Sequence, residues 1–410
     1  MRWWHSDQAG NEIFLNDLVA TTAKAHAPWV KSIVEPALRR PAVRAFKSQD
    51  ILEEWFYYEN PLTAISVQEK LTAAARGSGS HIAGMPQFLF KPGGAAPYMA
   101  MPAPHLFRET MWLCLSRPLR DFTFWGMWMA LHPEKGAITQ EEIDKELKQR
   151  LSGKEISFDN VKAVVKTQGE SSDFSLFVPE LREEIGHMLN DVVNPLGALL
   201  PQWRNRPRQM AVYISFAGQL HSEIRWSRPS TLLEALPYPY DVLYDQDFED
   251  NPDLLRDYQA LILQECAAVT SVAAPQLERF AKRGGLLLAD EWYKGGLKET
   301  VVINYGKSDP AVEKKLKARH DELIGLYKYE RHPQYIEGME QVMADVKTGA
   351  APVAQAMAAL RKRFAPEVEV ANGNVRVNTL TAAGAVYLVA VNDLRTKGTF
   401  FGQYGRVLEN

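Results

Sequence analysis

Between Arg208 and Tyr293 the chain carries four short apolar runs, Met210–Phe216, Val242–Tyr244, Ala260–Gln264 and Leu286–Ala289. Each is too short for a helix, and none alternates with polar residues. Runs of this kind belong to strands covered on both faces, and sheets covered on both faces are characteristically parallel. Parallel strands need crossovers, and Pro229–Leu236 and Ala274–Arg283 have helical character, the second closed by the pair Gly284-Gly285. This stretch is therefore expected to be a doubly wound sheet.

The same logic extends upstream. Residues 1–132 alternate strand candidates (Arg2–Ser6, Val30–Val34, Asp50–Tyr58, His81–Phe90 and Asp121–Met129) with helical stretches. Asn11 would cap a helix from Glu12 to about His26, with apolar Ile13, Leu15, Leu18 and Val19; Leu62–Ala75 and Pro104–Leu115 are the other two. Five strand–helix alternations predict βαβ units on a parallel sheet, a partial (β/α) barrel. Charged Glu134–Leu151 and amphipathic Val178–Leu189 read as connecting helices, and the breaker-rich 194–208 as a linker. After the middle sheet come helices at Asp309–Leu326, Gln334–Lys347 and Pro352–Phe364. Then Val368–Val370, Val375–Leu380 and Ala385–Val391 alternate like antiparallel strands.

At 410 residues the chain exceeds one ordinary core. The expected division is 1–200, a partial barrel with helical connector; 208–330, a flavodoxin-like or amidotransferase-like α/β domain; and 331–410, helices and a small β-sandwich portion. The fold class is α/β.

Charge and cysteine content narrow the function. Forty-seven basic residues face fifty acidic ones, so no basic field invites nucleic acid. No apolar run approaches the roughly 18 residues of a membrane span, and the first residues lack the apolar core of a signal peptide. Cys114 and Cys266 are too few and too far apart for a disulfide framework or a zinc set, and both are expected to be buried free thiols. No metal site or cofactor is expected.

Chemistry in open or closed parallel sheets sits at the C-terminal ends of strands. That rule singles out Asp7 and Glu12 after the first strand, Glu35 after the second, and Asp50, Glu53, Glu54 and Glu59 around the third. Each of these, taken singly, also suits a solvated or ion-paired surface residue. Two carboxyls facing one bond, one protonated and one ionised, are what glycoside hydrolysis requires. Asp7 and Glu35 are the catalytic candidates. Seven of the ten tryptophans precede residue 130. Such a set is either core or a sugar-stacking cleft, and Trp3, Trp4, Trp55, Trp125 and Trp128, with His5, are the substrate-binding candidates.

Three stretches carry a family resemblance: Phe107-Arg108-Glu109 through Trp112 with Phe122–Trp128; Leu261-Ile262-Leu263 with Ala274–Gly285 and Leu286-Leu287-Leu288; and Tyr387–Arg395 with Gly398, Gly402 and Gly405. In this order they resemble the end of the barrel, the amidotransferase-like trimerisation domain and the β-sandwich of family 42 β-galactosidases. The resemblance implies a carbohydrate substrate, homo-oligomers formed through the amidotransferase-like domain, and a chain that is the downstream piece of a larger hydrolase. The alternative on the same scaffold is a non-catalytic sugar-binding or oligomerisation protein; a further one is a sensor that binds a small ligand in the middle domain. The family's Asn-Glu pair is not matched near Asp7, and Gln87 stands where its second catalytic Glu would be. The turn after Leu286–Ala289 reads Asp290-Glu291-Trp292, without the cysteine that an amidotransferase uses as nucleophile. Glutamine incubated with the intact chain should therefore release no ammonia; release above the uncatalysed rate would mean that another residue has taken over that role.

Overall fold

The computed structural model describes residues 2–35, 48–56, 63–76, 78–86, 99–100, 104–124, 137–138, 175–176, 179–215, 218, 236–264, 266–290, 293, 296–297, 300–303, 350–370 and 375–392. It is a mixed α/β structure with parallel sheets. In the first sheet β1 (Ile33–Val34), β2 (Ile51–Phe56), β3 (His81–Pro86) and β5 (Asp121–Phe122) lie side by side in chain order, and every pair is parallel. Helix α1 (Arg2–His26) precedes β1, α2 (Thr63–Ala75) links β2 to β3, and α3 (Pro104–Leu115) precedes β5. The two-residue strands β4 (Met99–Ala100), β6 (Ala137–Ile138) and β7 (Ser175–Leu176) form a separate small parallel sheet in the order β4-β7-β6.

Among the described residues the first sheet has four strands, where five were expected. Arg2–Ser6, expected as a strand, lies inside α1, which runs unbroken until shortly before Pro28. Aromatic residues favour strands only weakly, and no proline interrupts the helix earlier. Of the apolar residues expected to face a core, Leu15, Leu18 and Val19 are exposed, and the Ile13 side chain is outside the described residues. The stretch 194–208 is not an open linker. After α4 (Pro179–His187) come a six-residue π-helical turn, two short helical turns and β8 (Arg204–Asn205).

The middle sheet agrees with expectation and adds a strand. It contains β9 (Met210–Ile214), β10 (Tyr240–Tyr244), β11 (Ala260–Gln264), β12 (Leu286–Asp290) and β13 (Thr300–Ile303), all parallel, in the order β10-β9-β11-β12-β13. Numbered within the sheet this is 2-1-3-4-5, the flavodoxin-like order. β9 is buried along its whole length, which is why its sequence shows no alternation. Helix α5 (Asp245–Asp250) follows β10, and α6 (Ala273–Lys282) links β11 to β12. At the end of α6, the Gly284 N–H bonds the Ala281 carbonyl and the Gly285 N–H the Phe280 carbonyl, a Schellman ending with Gly284 at φ +91. A Cβ on Gly285 would lie 2.5 Å from the Phe280 ring, so both glycines are needed.

The last unit is smaller. Helix α7 (Ala350–Arg361) is followed by β14 (Val375–Ala382) and β15 (Ala385–Asn392), an antiparallel hairpin, and β8 pairs with the outer side of β14. The hairpin turns through Ala383 and Gly384, both at positive φ, as a two-residue primed turn requires. Val368–Val370 is not a strand. Within Glu134–Leu151, expected as a helix, Ala137–Ile138 is the strand β6, and Leu236, the end of the helix expected at Pro229–Leu236, is not helical; the rest of both, and the helices expected at Asp309–Leu326 and Gln334–Lys347, lie outside the described residues.

One apolar core joins these parts. It runs from Val34, Leu52 and Ile82 through α2 and α3 to Val212, Val242, Ile262 and Leu288, and on to Leu380 and Val391. Helix α2 packs on β2 and β3 of the first sheet and on β10 of the second. It is accordingly buried nearly all round, from Ala64 to Glu69. Glu69 would be an unpaired charge there. Instead it takes Arg117 Nε at 2.9 Å and both terminal nitrogens of Arg208 at 2.5 and 2.9 Å, all three side chains being 7% exposed or less. Burial acts to raise the carboxyl's pKa, but Arg208 and Arg117 outweigh it and hold it below its ordinary value. Glu69→Gln would leave two buried guanidiniums without their anion. It should lower the unfolding free energy by about 3–5 kcal/mol, read from urea denaturation; a loss under ~1 kcal/mol would show the cluster to be hydrated rather than structural.

Candidate active site at the C-terminal edge of the first sheet

Strand β2 reads Ile51, Leu52, Glu53, Glu54, and its alternation divides two environments. Leu52 and its neighbours in register, Val34 and Ile82, go into the core with α2. Glu53 faces the other way, level with Ala83 on β3 and Asp121 on β5. The small Ala83 between them leaves room for a contact over β3: Thr123, just past β5, donates its hydroxyl to Glu53 Oε2 at 2.6 Å. Glu35 directly follows β1, one residue beyond the Val34–Leu52 pair, and so comes alongside Glu53. Its carboxyl hydrogen-bonds that of Glu54.

The Glu35 carboxyl, just past β1, thus lies near both Glu53 and Glu54 in the middle of β2. Partial burial pushes the Glu35 pKa up, the hydrogen bond with Glu54 lowers it in part, and the charge of Glu53 raises it again, for a net rise. A carboxyl with a raised pKa among other carboxyl groups is suited to proton transfer.

The other end of the same strands is built differently. Asp50 accepts from the Ser32 N–H at 2.9 Å and the Ser32 hydroxyl at 3.1 Å, and ion-pairs with Lys24 of α1 at 2.9 Å. These contacts, the Ser32 N–H foremost, hold its pKa far below the usual carboxylate range. Asp50 is a clamp between α1 and β2, with no part at the C-terminal edge.

Of the residues singled out from sequence, Glu35, Glu53 and Glu54 are brought together. Asp7 is not at a strand end: it lies within α1, as do Trp3, Trp4 and His5, and the side chains of that part of the helix are outside the described residues. Trp55 follows Glu54 on β2, its side chain likewise undescribed. Glu59, Trp125 and Trp128 lie outside the described residues. Three other tryptophans are described: Trp203 is buried, Trp112 half-buried against the core, and Trp29 is 78% exposed. Thr123 was missed, because within an aromatic stretch nothing marks a threonine as a partner for a glutamate 70 residues away. Cys114 and Cys266 are buried free thiols, as expected. Among the described residues no cluster of metal-ligating side chains occurs, and no helix is long and apolar enough to cross a membrane.

No protein-family model matches this sequence, and no curated protein does. Among solved structures, the chain is similar to the cold-adapted β-galactosidase from Rahnella sp. R3, at 12% identity and a TM-score of 0.46 over 70% of this chain and 40% of that one. It is also similar to α-L-fucosidase isoenzyme 2 from Paenibacillus thiaminolyticus, at 15% identity and a TM-score of 0.36 over 68% of this chain and 35% of that one. Both are glycoside hydrolases. The chain spans less than half the length of either, and both scores are low, so the reading of the site rests on its own residues.

The Glu35 shift has a consequence for stability. Its folded-state pKa is raised, so its contribution is present in full below the unfolded value of 4.5 and is lost as pH rises through the folded value. Glu35→Gln cannot ionise. The melting temperature of this variant relative to the native chain should rise between about pH 4 and pH 8. A difference that stays flat would mean that Glu35 titrates as a solvated glutamate.

Proposed function

We propose that this chain is glycoside-hydrolase-like and acts on carbohydrate at the C-terminal edge of the first sheet, with Glu35 as the proton donor and Glu53 as the second carboxylate. The observation that carries this reading is the Glu35 carboxyl, pushed up by burial and hydrogen-bonded to Glu54, beside a Glu53 oriented by Thr123. Glu35 gives its proton to the glycosidic oxygen as the bond to the anomeric carbon breaks. Glu53 either attacks that carbon or draws a proton from an attacking water, and Glu54 holds the Glu35 carboxyl in place. Trp55, next in sequence to Glu54, is the nearest candidate for a sugar-stacking platform, and Trp3, Trp4, His5, Trp125 and Trp128 complete the proposed cleft. Asp7 is left out, because its assignment rested on a strand that is a helix.

The family 42 layout remains part of the proposal. It supplies the division at 1–200, 208–330 and 331–410, and self-association through the flavodoxin-like sheet.

The test is hydrolysis of a panel of aryl-glycosides by the native chain and by Glu35→Gln, Glu53→Gln and Asp7→Asn. Turnover should fall by about 10²–10⁴-fold in the first two variants and hold in the third. Turnover that survives both glutamate substitutions would sink the assignment. Sugar binding by a native chain that turns nothing over would favour the non-catalytic alternative on the same scaffold.

A further inference from the structure

A second site lies at the N-terminal end of the middle sheet. A cavity of about 280 Å³ opens between the N-terminal ends of β9 and β10 and the strand β14. This approaches the lower limit of about 300 Å³ for small-ligand pockets. It shares no residue with the carboxylate site. Four segments build it: the passage from β8 to β9, the residues before β10, Phe364–Glu367 after α7, and Asn378 and Thr379 of β14.

Its chemistry is mixed in a definite way. Arg206 and Glu367 form an ion pair at the rim, each about 40% exposed (41% and 38%). The other Glu367 oxygen takes the Thr379 hydroxyl at 2.6 Å. Asn378, 2% exposed, spends its side-chain N–H groups on the Ser116 carbonyl at 2.6 Å and Asn205 Oδ1 at 3.4 Å. Its own side-chain oxygen has no partner among the described residues. Tyr238 and Phe364 meet edge to face at 5.1 Å and give the cavity an apolar wall. Arg208 also lines it, but its charge is consumed by Glu69 and Asp241. The cavity therefore carries no net charge toward a ligand. It offers a carboxylate to accept from a hydroxyl, a guanidinium beside it to donate to the next hydroxyl, a spare amide oxygen, and an apolar wall.

We propose that this cavity binds a neutral polyhydroxylated ring, a single sugar unit, held by neighbouring hydroxyls on Glu367 and Arg206 with its C–H face on the aromatic wall. An anion would gain nothing from an arginine already paired, and a purely apolar ligand would strand the Glu367 and Asn378 oxygens. The site is separate from the proposed hydrolytic centre and does not depend on it.

The experiment is isothermal titration of the full chain with D-glucose and D-galactose, and with D-glucuronate and inorganic phosphate as anionic probes. At least one hexose should bind the native chain and Glu35→Gln alike, and bind Glu367→Gln and Arg206→Gln about tenfold more weakly, the loss of one charge-assisted hydrogen bond. Both rim side chains are substantially exposed, so either variant keeps the fold, which a melting curve verifies. Equal hexose affinity in both rim variants, tighter binding of either anion than of the hexoses, or no hexose binding at all would each overturn the proposal. Binding lost in Glu35→Gln but kept in the rim variants would overturn it too, while placing the sugar at the carboxylate site.

Discussion

A single buried carboxylate ties together the first sheet, the middle sheet and the antiparallel sheet. Glu69 sits on α2, the helix that packs against both parallel sheets. Its partners come from elsewhere: Arg117 from the turn after α3, and Arg208 from the residue pair that precedes β9. Arg208 also donates to the Tyr240 carbonyl at the start of β10 and reaches Asp241 at 3.3 Å. Next to Arg117, the Ser116 carbonyl takes the amide of Asn378 on β14. Apolar contact between α2 and its neighbours is strong but without direction, whereas a carboxylate shared by two guanidiniums is satisfied in one geometry only. The apolar core stabilises the assembly, and the Glu69 cluster specifies its register. A second pair repeats the device near the other end of α2, where Arg76 meets Asp247 at 2.6 Å and donates to the Val242 carbonyl.

With α2 so held, the direction of the first sheet is set, and its two ends serve different purposes. At the N-terminal ends Asp50 gathers Ser32, Lys24 and, at 3.5 Å, Lys31, so its charge is spent on structure. Further along the same strands Glu35 lies near Glu53 and Glu54, and burial, with the charge of Glu53, raises its pKa. The contrast within one strand separates a structural acid from a group poised for proton transfer.

How much of this could be read beforehand depended on whether the signal was local. β9, β11 and β12 were legible because a strand buried on both faces writes an uninterrupted apolar run. β13 was missed: its apolar run, Val301–Ile303, is only three residues long, and Val302 is exposed. Trp3 and Trp4 suggested a strand, but a helix without a breaker before Pro28 prevailed. Glu35, Glu53 and Glu54 were found by the strand-end rule, while Thr123 was not, since its role exists only through the register of β2, β3 and β5. The Glu69 cluster was invisible for the same reason, its partners lying 48 and 139 residues away.

The flavodoxin-like sheet poses the complementary question, because its C-terminal edge is where such folds ordinarily bind a ligand. Here several polar groups at the switch point between β9 and β11 answer to one another, while Gln264 Oε1 at the end of β11 has no partner among the described residues. The Tyr213 hydroxyl donates to Asp245, Cys266 donates to the Tyr213 carbonyl at 3.6 Å, and the Gly218 N–H is taken by the Ser215 hydroxyl at 3.1 Å. Burial, with Asp245 beside it, drives the Tyr213 pKa upward, so the phenol stays protonated and keeps donating. A ligand entering there would have to break bonds already made in a buried setting and replace each of them. At the N-terminal ends of the sheet, beside β14, the Asn378 and Glu367 oxygens are still able to accept, and there the sheet presents its polar groups to the antiparallel sheet.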